Sequence, residues 1–490
     1  MSHHDKRIAI IGAGFSGLGV AIRLQQAGYR NLTIYERASD VGGTWRDNTY
    51  PGAACDVQSH LYSYSFAPSP DWSRAYGTQD EILAYIRHCV DRFELRRLIK
   101  FDTNVERAEF DDQREVWQIT TDQGPVEADI VIAGHGALST PAYPAIPGFE
   151  SFQGKVLHTA EWDNSYDLTG KRVAVIGSGA SAIQVVPAIA EQVARMHVFQ
   201  RTPSWIMPKP DRGFDADDKA RFRRFPFLQY LRRQWLYWGG EAISPAIVYD
   251  TPLNHVARRR GLKHIRRAVR DPVLRAQVTP DYKVGCKRTL LSNDWYPSLQ
   301  KHHVTLVSDG LQEVRANSVV DAKGRETAVD AIICATGFQV PTEAAPYPII
   351  GARGQSINDA WAQGAEAHKG VTVAGFPNLM LLMGPNTVSG HTSMIFYFEA
   401  QFNHILALLG LMARRNAQSF DVRKPVQDRF NAWLQKRMAR TTWTSGCNSW
   451  YLTEGGKNTA LWPGFSWEYW RMTRKVRADD YTLGTTSGND

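Results

Sequence analysis

Two positions in this 490-residue chain carry opposite charges at the same distance from a glycine-rich turn. Glu36 stands 24 residues after Gly12, and Arg201 stands 24 residues after Gly177. A carboxylate at such a place can accept hydrogen bonds from both hydroxyls of a ribose. A guanidinium there suits a 2′-phosphate, which its planar fork of donors can grip on two oxygens.

Both charges need the same scaffold behind them. The run RIAIIG ending at Gly12 reads as a short buried parallel strand. Gly12, Gly14 and Gly17 (GAGFSG) follow, then an apolar helical stretch and a second strand, NLTIYER, which holds Glu36 near its end. The glycines let the backbone turn sharply beside a pyrophosphate, and the helix N-terminus offers free N–H groups. The unit then recurs as KRVAVIG, Gly177, Gly179 and Ala182 (GSGASA), a helix, and MHVFQRT with Gln200, Arg201 and Thr202. One such glycine pattern is weak; strand, turn, helix, strand and terminal charge in order, twice in one register, is strong. The first unit is expected to bind FAD, whose adenosine ribose is free, and the second NADPH. Further strands are expected at VDAIICATGF, whose Thr336 and Gly337 could close over a cofactor, and at MLLMGPN, followed by a helix near His391.

With 43% hydrophobic and 22% charged residues, disordered and collagen-like classes are excluded. The cysteines (Cys55, Cys89, Cys286, Cys334, Cys447) form no CxxC pair, so no zinc ribbon or local dithiol centre is written here. No metal site is expected. Their scatter suggests a reducing compartment, and no leader is evident at the N-terminus, so a cytoplasmic location is expected. The most apolar helical stretch, residues 405–413, falls short of the roughly 20 residues a bilayer requires. The net charge of +8 is concentrated: from Lys209 to Arg275 there are 16 Lys and Arg against 7 Asp and Glu. That argues against a general nucleic-acid binder. The segment is expected to be helical, with solvated arginine faces or weak contact with a membrane surface as its two readings.

Two longer patterns add a family. FQGKVLHTAEWD, through Phe152, Gly154, His158, Trp162 and Asp163, resembles the fingerprint FxGxxxHxxxW(P/D) of type I Baeyer-Villiger monooxygenases. GGTWRDNTYPGAACD resembles that family's other signature through Gly43, Trp45, Tyr50, Pro51, Gly52 and Asp56. The Asp after the fingerprint Trp is similar to the 4-hydroxyacetophenone monooxygenase branch.

The resemblance implies FAD, NADPH and molecular oxygen, and insertion of one oxygen atom beside a ketone carbonyl to give an ester or lactone. It places Arg288 beside the flavin, where a permanent cation favours the anionic peroxide at the flavin C4a carbon and the tetrahedral adduct that follows. Asp56 is expected to hold Arg288, Trp45 to lie at the flavin, Lys287 to join Arg201 on the 2′-phosphate, with Gln200 and Thr202 flanking it, and Trp450 to contact NADP. His158 is expected on the link between domains. Plainer readings exist for each: an ion-pair partner for Arg288, a turn residue for Asp56, a core side chain for Trp450, a solvated Lys287, a structural His158. The expected fold is α/β, with two Rossmann-like domains. Residues 1–145 and 375–490 would form the FAD domain, and 150–208 and 280–345 the NADP domain with a helical insert at 209–280. The alternatives are a flavin monooxygenase acting on amines or sulfides, and a non-oxygenating protein that binds both nucleotides.

Overall fold

A computed structural model describes residues 3–136, 138–339, 346–447, 449, 451–453 and 455–485. Two five-stranded parallel sheets organise the chain. In the first, the strands run in the order Leu379–Leu381, Ile130–Ala133, Ile8–Ile11, Leu32–Tyr35, Ile99–Lys100. In the second, the order is Val304–Val307, Arg195–Phe199, Arg172–Ile176, Ala331–Cys334, Lys155–His158. The interior strands Ile8–Ile11 and Ala331–Cys334 are buried at every position, which is why they read as unbroken apolar runs. Parallel neighbours demand crossover connections, so each glycine turn opens into a helix, Phe15–Gln26 in the first unit and Ala182–Ile189 in the second.

The α/β class with two dinucleotide-type sheets matches the expectation from sequence. Besides a two-stranded antiparallel ribbon of Ala417–Val422 and Tyr481–Thr485, two smaller antiparallel sheets were not anticipated. One pairs Val105–Asp111, Val116–Thr121 and Gly124–Ala128, joined in parallel by Ile349–Ile350. Its buried Trp117 donates its indole N–H to the Pro377 carbonyl, which fixes this sheet to the first unit. The other comprises Leu311–Arg315, Ser318–Asp321 and Glu326–Ala328.

The apolar stretch expected at residues 405–413 is longer than the sequence suggested. It belongs to the helix Met394–Arg414, 21 residues in length and apolar enough to cross a membrane by composition alone. Here it is a core helix: Ile395, Phe402, Ile405 and Leu408 are buried, and Phe402 packs on Gly19 of the first unit's helix. The basic segment folds into four helices, Ala216–Arg224, Pro226–Ile247, Leu253–Ala268 and Pro272–Gln277.

Candidate active site

The two glycine turns are built alike. Gly12 adopts φ 102°, and a Cβ there would lie 2.7 Å from the Gly134 carbonyl oxygen. Gly177 adopts φ 120°, and its Cβ would lie 2.4 Å from the Ala335 carbonyl oxygen. Both positions thus exclude side chains twice over, by conformation and by contact. Gly17 is tighter still, since a Cβ would sit 1.9 Å from the Gly12 carbonyl oxygen. The space above Gly179, in contrast, is open.

At the first turn, Glu36 is buried and accepts from the Ala13 N–H at 2.8 Å and the Ala38 N–H at 3.1 Å. It also accepts from Arg46 at 2.9 Å, a partner not foreseen from sequence although Arg46 stands within the GGTWRDN run. A carboxylate has about four lone-pair directions, so three bonds leave capacity for a hydroxyl. Glu36 lines a cavity of about 450 Å³ that begins at Gly12 and Gly14. Its polar walls include Arg37, Arg46 and His135, and its apolar and aromatic walls are Trp45, Tyr62, Met383, Met394 and Phe398. The Trp45 indole N–H donates to the Tyr62 hydroxyl at 3.1 Å. Burial raises the Tyr62 phenol pKa far above the usual range, so it stays neutral. A phosphate turn, a carboxylate for a ribose and aromatic walls for a planar ring form a donor set that fits FAD.

At the second turn, Arg201 is exposed and Lys287 is half-buried. Burial and the nearby Arg201 guanidinium lower the Lys287 pKa. Its ammonium lies over the Tyr282 ring, 5.2 Å from the centroid. Two cations held this close suit a phosphate ester, and so fit the 2′-phosphate of NADPH. Thr202 lends its carbonyl to the Ser178 hydroxyl at 3.1 Å. Gln200 is buried, and its amide donates to the Gln277 carbonyl at 2.9 Å, tying the helical insert to the second sheet.

Thr336 and Gly337 stand at this second unit, because their strand, Ala331–Cys334, lies in the second sheet. The corresponding place in the first unit is filled by Gly134 and His135. Thr336 donates to the Ala142 carbonyl at 2.5 Å and lies 3.4 Å from His158. His158 is buried, and its Nδ1 accepts from the Ala160 N–H at 3.0 Å. Burial lowers its pKa and favours the neutral ring. It is thus a hydrogen-bonded residue at the edge of the second sheet, beside the chain that links it to the first.

The arginine is bonded to the loop that links the two units. Arg288 grips Asp56 in a bidentate pair, Nε to Oδ2 at 3.0 Å and Nη2 to Oδ1 at 2.8 Å. Attraction to Asp56 raises the guanidinium's already high pKa. The Arg288 side chain keeps 42% of its surface accessible, so the cation is fixed yet reachable. Both charges act on Tyr62, a wall of the flavin cavity. The loop bearing Asp56 is itself anchored on the second unit. The Tyr50 hydroxyl donates to Gln184 at 2.7 Å, and the Gln184 amide donates to the Ala54 carbonyl at 2.9 Å. The long signature therefore spans both units, running from Gly43 at the first turn to the helix of the second.

Consecutive residues of the arginine loop face three different partners. Cys286 is joined by a disulfide to Cys447, 161 residues away, Lys287 lies near Arg201, and Arg288 holds Asp56. Local cysteine spacing gave no hint of that bond, which ties the arginine loop to the C-terminal segment. Burial holds the Tyr451 phenol at about 12, and Arg288 and Asp56 both act on it, so this tyrosine joins the site as well. Trp450 lies outside the described residues.

The chain matches the model of the flavin-binding monooxygenase-like family over residues 5–239. It is 47% identical to a Baeyer-Villiger monooxygenase of Pseudomonas aeruginosa, across 98% of this chain and 92% of that protein. It is 45% identical to a Baeyer-Villiger monooxygenase of Streptomyces coelicolor, across 98% of this chain and 93% of that protein. It superposes on an oxidized steroid monooxygenase bound to NADP with a TM-score of 0.86 at 30% identity, covering 98% of this chain and 99% of that one. The chain belongs to the Baeyer-Villiger monooxygenases, within the flavin-binding monooxygenase-like family.

Proposed function

We propose that this protein is an FAD-dependent monooxygenase that converts a ketone, dioxygen, NADPH and a proton to an ester or lactone, NADP+ and water. The observation that carries the reading is the Arg288–Asp56 pair, a guanidinium fixed on the loop that joins the two dinucleotide units. Bound FAD supplies the reduction of dioxygen at the expense of NADPH. Arg288 would favour negative charge on the oxygen that attacks the ketone and on the ketone's own oxygen. A guanidinium suits this work because it holds its proton at any working pH. Asp56 positions it, so that little reorganisation accompanies the appearance of charge. Glu36 holds the flavin's ribose, and Arg201 with Lys287 holds the 2′-phosphate. The walls Trp45, Tyr62, Met383, Met394 and Phe398 limit water around the reacting atoms.

The substrate class is supported by relatives of the same shape. One solved structure is a cyclohexanone monooxygenase with ε-caprolactone bound, at a TM-score of 0.86 and 26% identity. The test is a panel of aryl, cyclic and long-chain ketones with one sulfide. Ester or lactone and hydrogen peroxide are followed as NADPH is consumed. Ester or lactone from at least one ketone, tightly coupled to NADPH, is expected. Sulfoxide alone, or peroxide alone across the panel, would overturn the reading.

A further inference from the structure

Between Phe227 and Trp238 the helix Pro226–Ile247 is anchored by one face. On that face Leu236 and Tyr237 pack with Leu61, Val57 and Phe396. Arg233 donates to the carbonyls of His60 and Ser63 at 3.0 and 2.8 Å. Beyond Trp238 the helix turns its former outer side inward, where the buried Glu241 bonds His391 at 3.1 Å and pairs closely with the Ser466 hydroxyl. The other face presents Phe227 (58% exposed), Tyr230 (62%), Leu231 (53%), Trp235 (70%) and Trp238 (55%). At 100° per residue these five fall within about 140° of arc, one continuous aromatic and aliphatic stripe.

Exposed cations in the same segment accompany the stripe. Exposed Arg221 and Arg224 precede it, with Arg224 stacked 5.3 Å over the Phe225 ring. The helix Leu253–Ala268, which packs against Pro226–Ile247, adds exposed Arg259, Arg260, Lys263 and Arg267. Most acids of the segment are turned to internal duties. Asp215 and Asp271 cap helices, Glu241 is buried, and Asp211, Asp218 and Asp250 are paired with Arg74, Arg212 and Lys283. Several cations are engaged in the same way, Arg212 on Asp218, Arg223 on Asp71 and Arg233 on backbone carbonyls, which leaves Arg221, Arg224 and the exposed basic residues of the second helix as the uncommitted positive charge.

We infer that this face docks on an anionic phospholipid surface, with the stripe at the headgroup–acyl boundary and the arginines on lipid phosphates. A second copy of the chain fits poorly, because two-fold pairing would set one basic patch against another. Single-stranded nucleic acid calls for a concave basic groove, whereas this is a convex helix with an aliphatic Leu at its centre. The buried face of the same helix contacts the loop that follows Asp56, so docking would bring the flavin side of the molecule close to lipid, where apolar ketones partition. The contact itself does not depend on the reaction proposed above.

The test uses FAD-loaded full-length protein and vesicles of phosphatidylcholine with about 30% phosphatidylglycerol, against phosphatidylcholine alone. Co-sedimentation and tryptophan emission are read together. Expected are at least tenfold stronger partitioning onto the anionic vesicles, a blue shift in emission, and loss of binding in high salt. The double variant Leu231→Ser/Trp235→Ser and, separately, Arg221→Glu/Arg224→Glu should each bind at least tenfold more weakly while retaining FAD and turnover in solution. Equal binding by wild type and both variants overturns the inference. So does a dimer in sedimentation velocity that the Leu231→Ser/Trp235→Ser pair dissociates, or binding of a single-stranded oligonucleotide in place of vesicles.

Discussion

The two nucleotide cradles share one backbone and differ in one charge. Gly12 lies against the Gly134 carbonyl, as Gly177 lies against that of Ala335. Yet the first cradle ends in a buried carboxylate locked by Ala13 and Arg46, and the second in an exposed guanidinium beside Lys287. The first holds its carboxylate buried and fixed, with capacity left for a hydroxyl, as befits a cofactor that stays. The second is open, and its cations await an anion, as befits one that comes and goes. Backbone geometry sets that a dinucleotide binds; the terminal side chain sets which one and how tightly.

The largest effect should come from the tightest glycine. Gly17→Ala forces a methyl group to within 1.9 Å of a carbonyl oxygen, and the purified variant should carry no FAD and show no turnover. Gly179→Ala, where space is open, should keep full FAD absorbance and change only the response to NADPH. Equal loss of FAD in the two would break the comparison. Next, Arg201→Ala should raise KM for NADPH by about 10–100-fold, the worth of a charge-assisted bond, with little change for NADH. Parallel increases for both nucleotides would remove the 2′-phosphate from its role. Glu36→Gln weakens the bond to Arg46 and the grip on a ribose. It should raise the FAD dissociation constant by roughly tenfold, measured by flavin fluorescence on dilution.

The smallest effect is a shift in pH dependence. Lys287 loses its proton below its ordinary value of 10.5, because burial and Arg201 both disfavour its charge. The kcat/KM for NADPH should therefore fall on the alkaline side before 10.5 is reached. Arg201→Ala removes a like charge and should move that limb to higher pH. An unmoved limb would mean that the two cations do not share a site.

Much of the fold was legible because its signals are local. The apolar strands, the glycines that admit no side chain and the terminal charges all lie within about 30 residues of one another. The assignment of Thr336 and Gly337 was harder, since a strand followed by a turn does not say which sheet it joins. Only the pairing of Ala331–Cys334 with Arg172–Ile176 and Lys155–His158 settles it. Asp56 and Arg288 are 232 residues apart, and no spacing rule connects them; the family resemblance named both. The Cys286–Cys447 bond and the Glu241–His391 contact escaped notice for the same reason, being products of tertiary packing alone. Arg46 was missed differently. Its partner Glu36 lies ten residues away at a strand end, and nothing in the GGTWRDN run itself points back to that carboxylate.

The account turns on the cation held by Asp56, and Arg288→Ala tests it most directly. Product formation from the best ketone of the panel should be measured alongside bound FAD and NADPH consumption. The variant is expected to hold FAD as the parent does while ester formation falls by roughly 10²–10³ or more, the usual cost of one preorganised donor. Ester made at the parental rate by FAD-loaded Arg288→Ala would contradict the account.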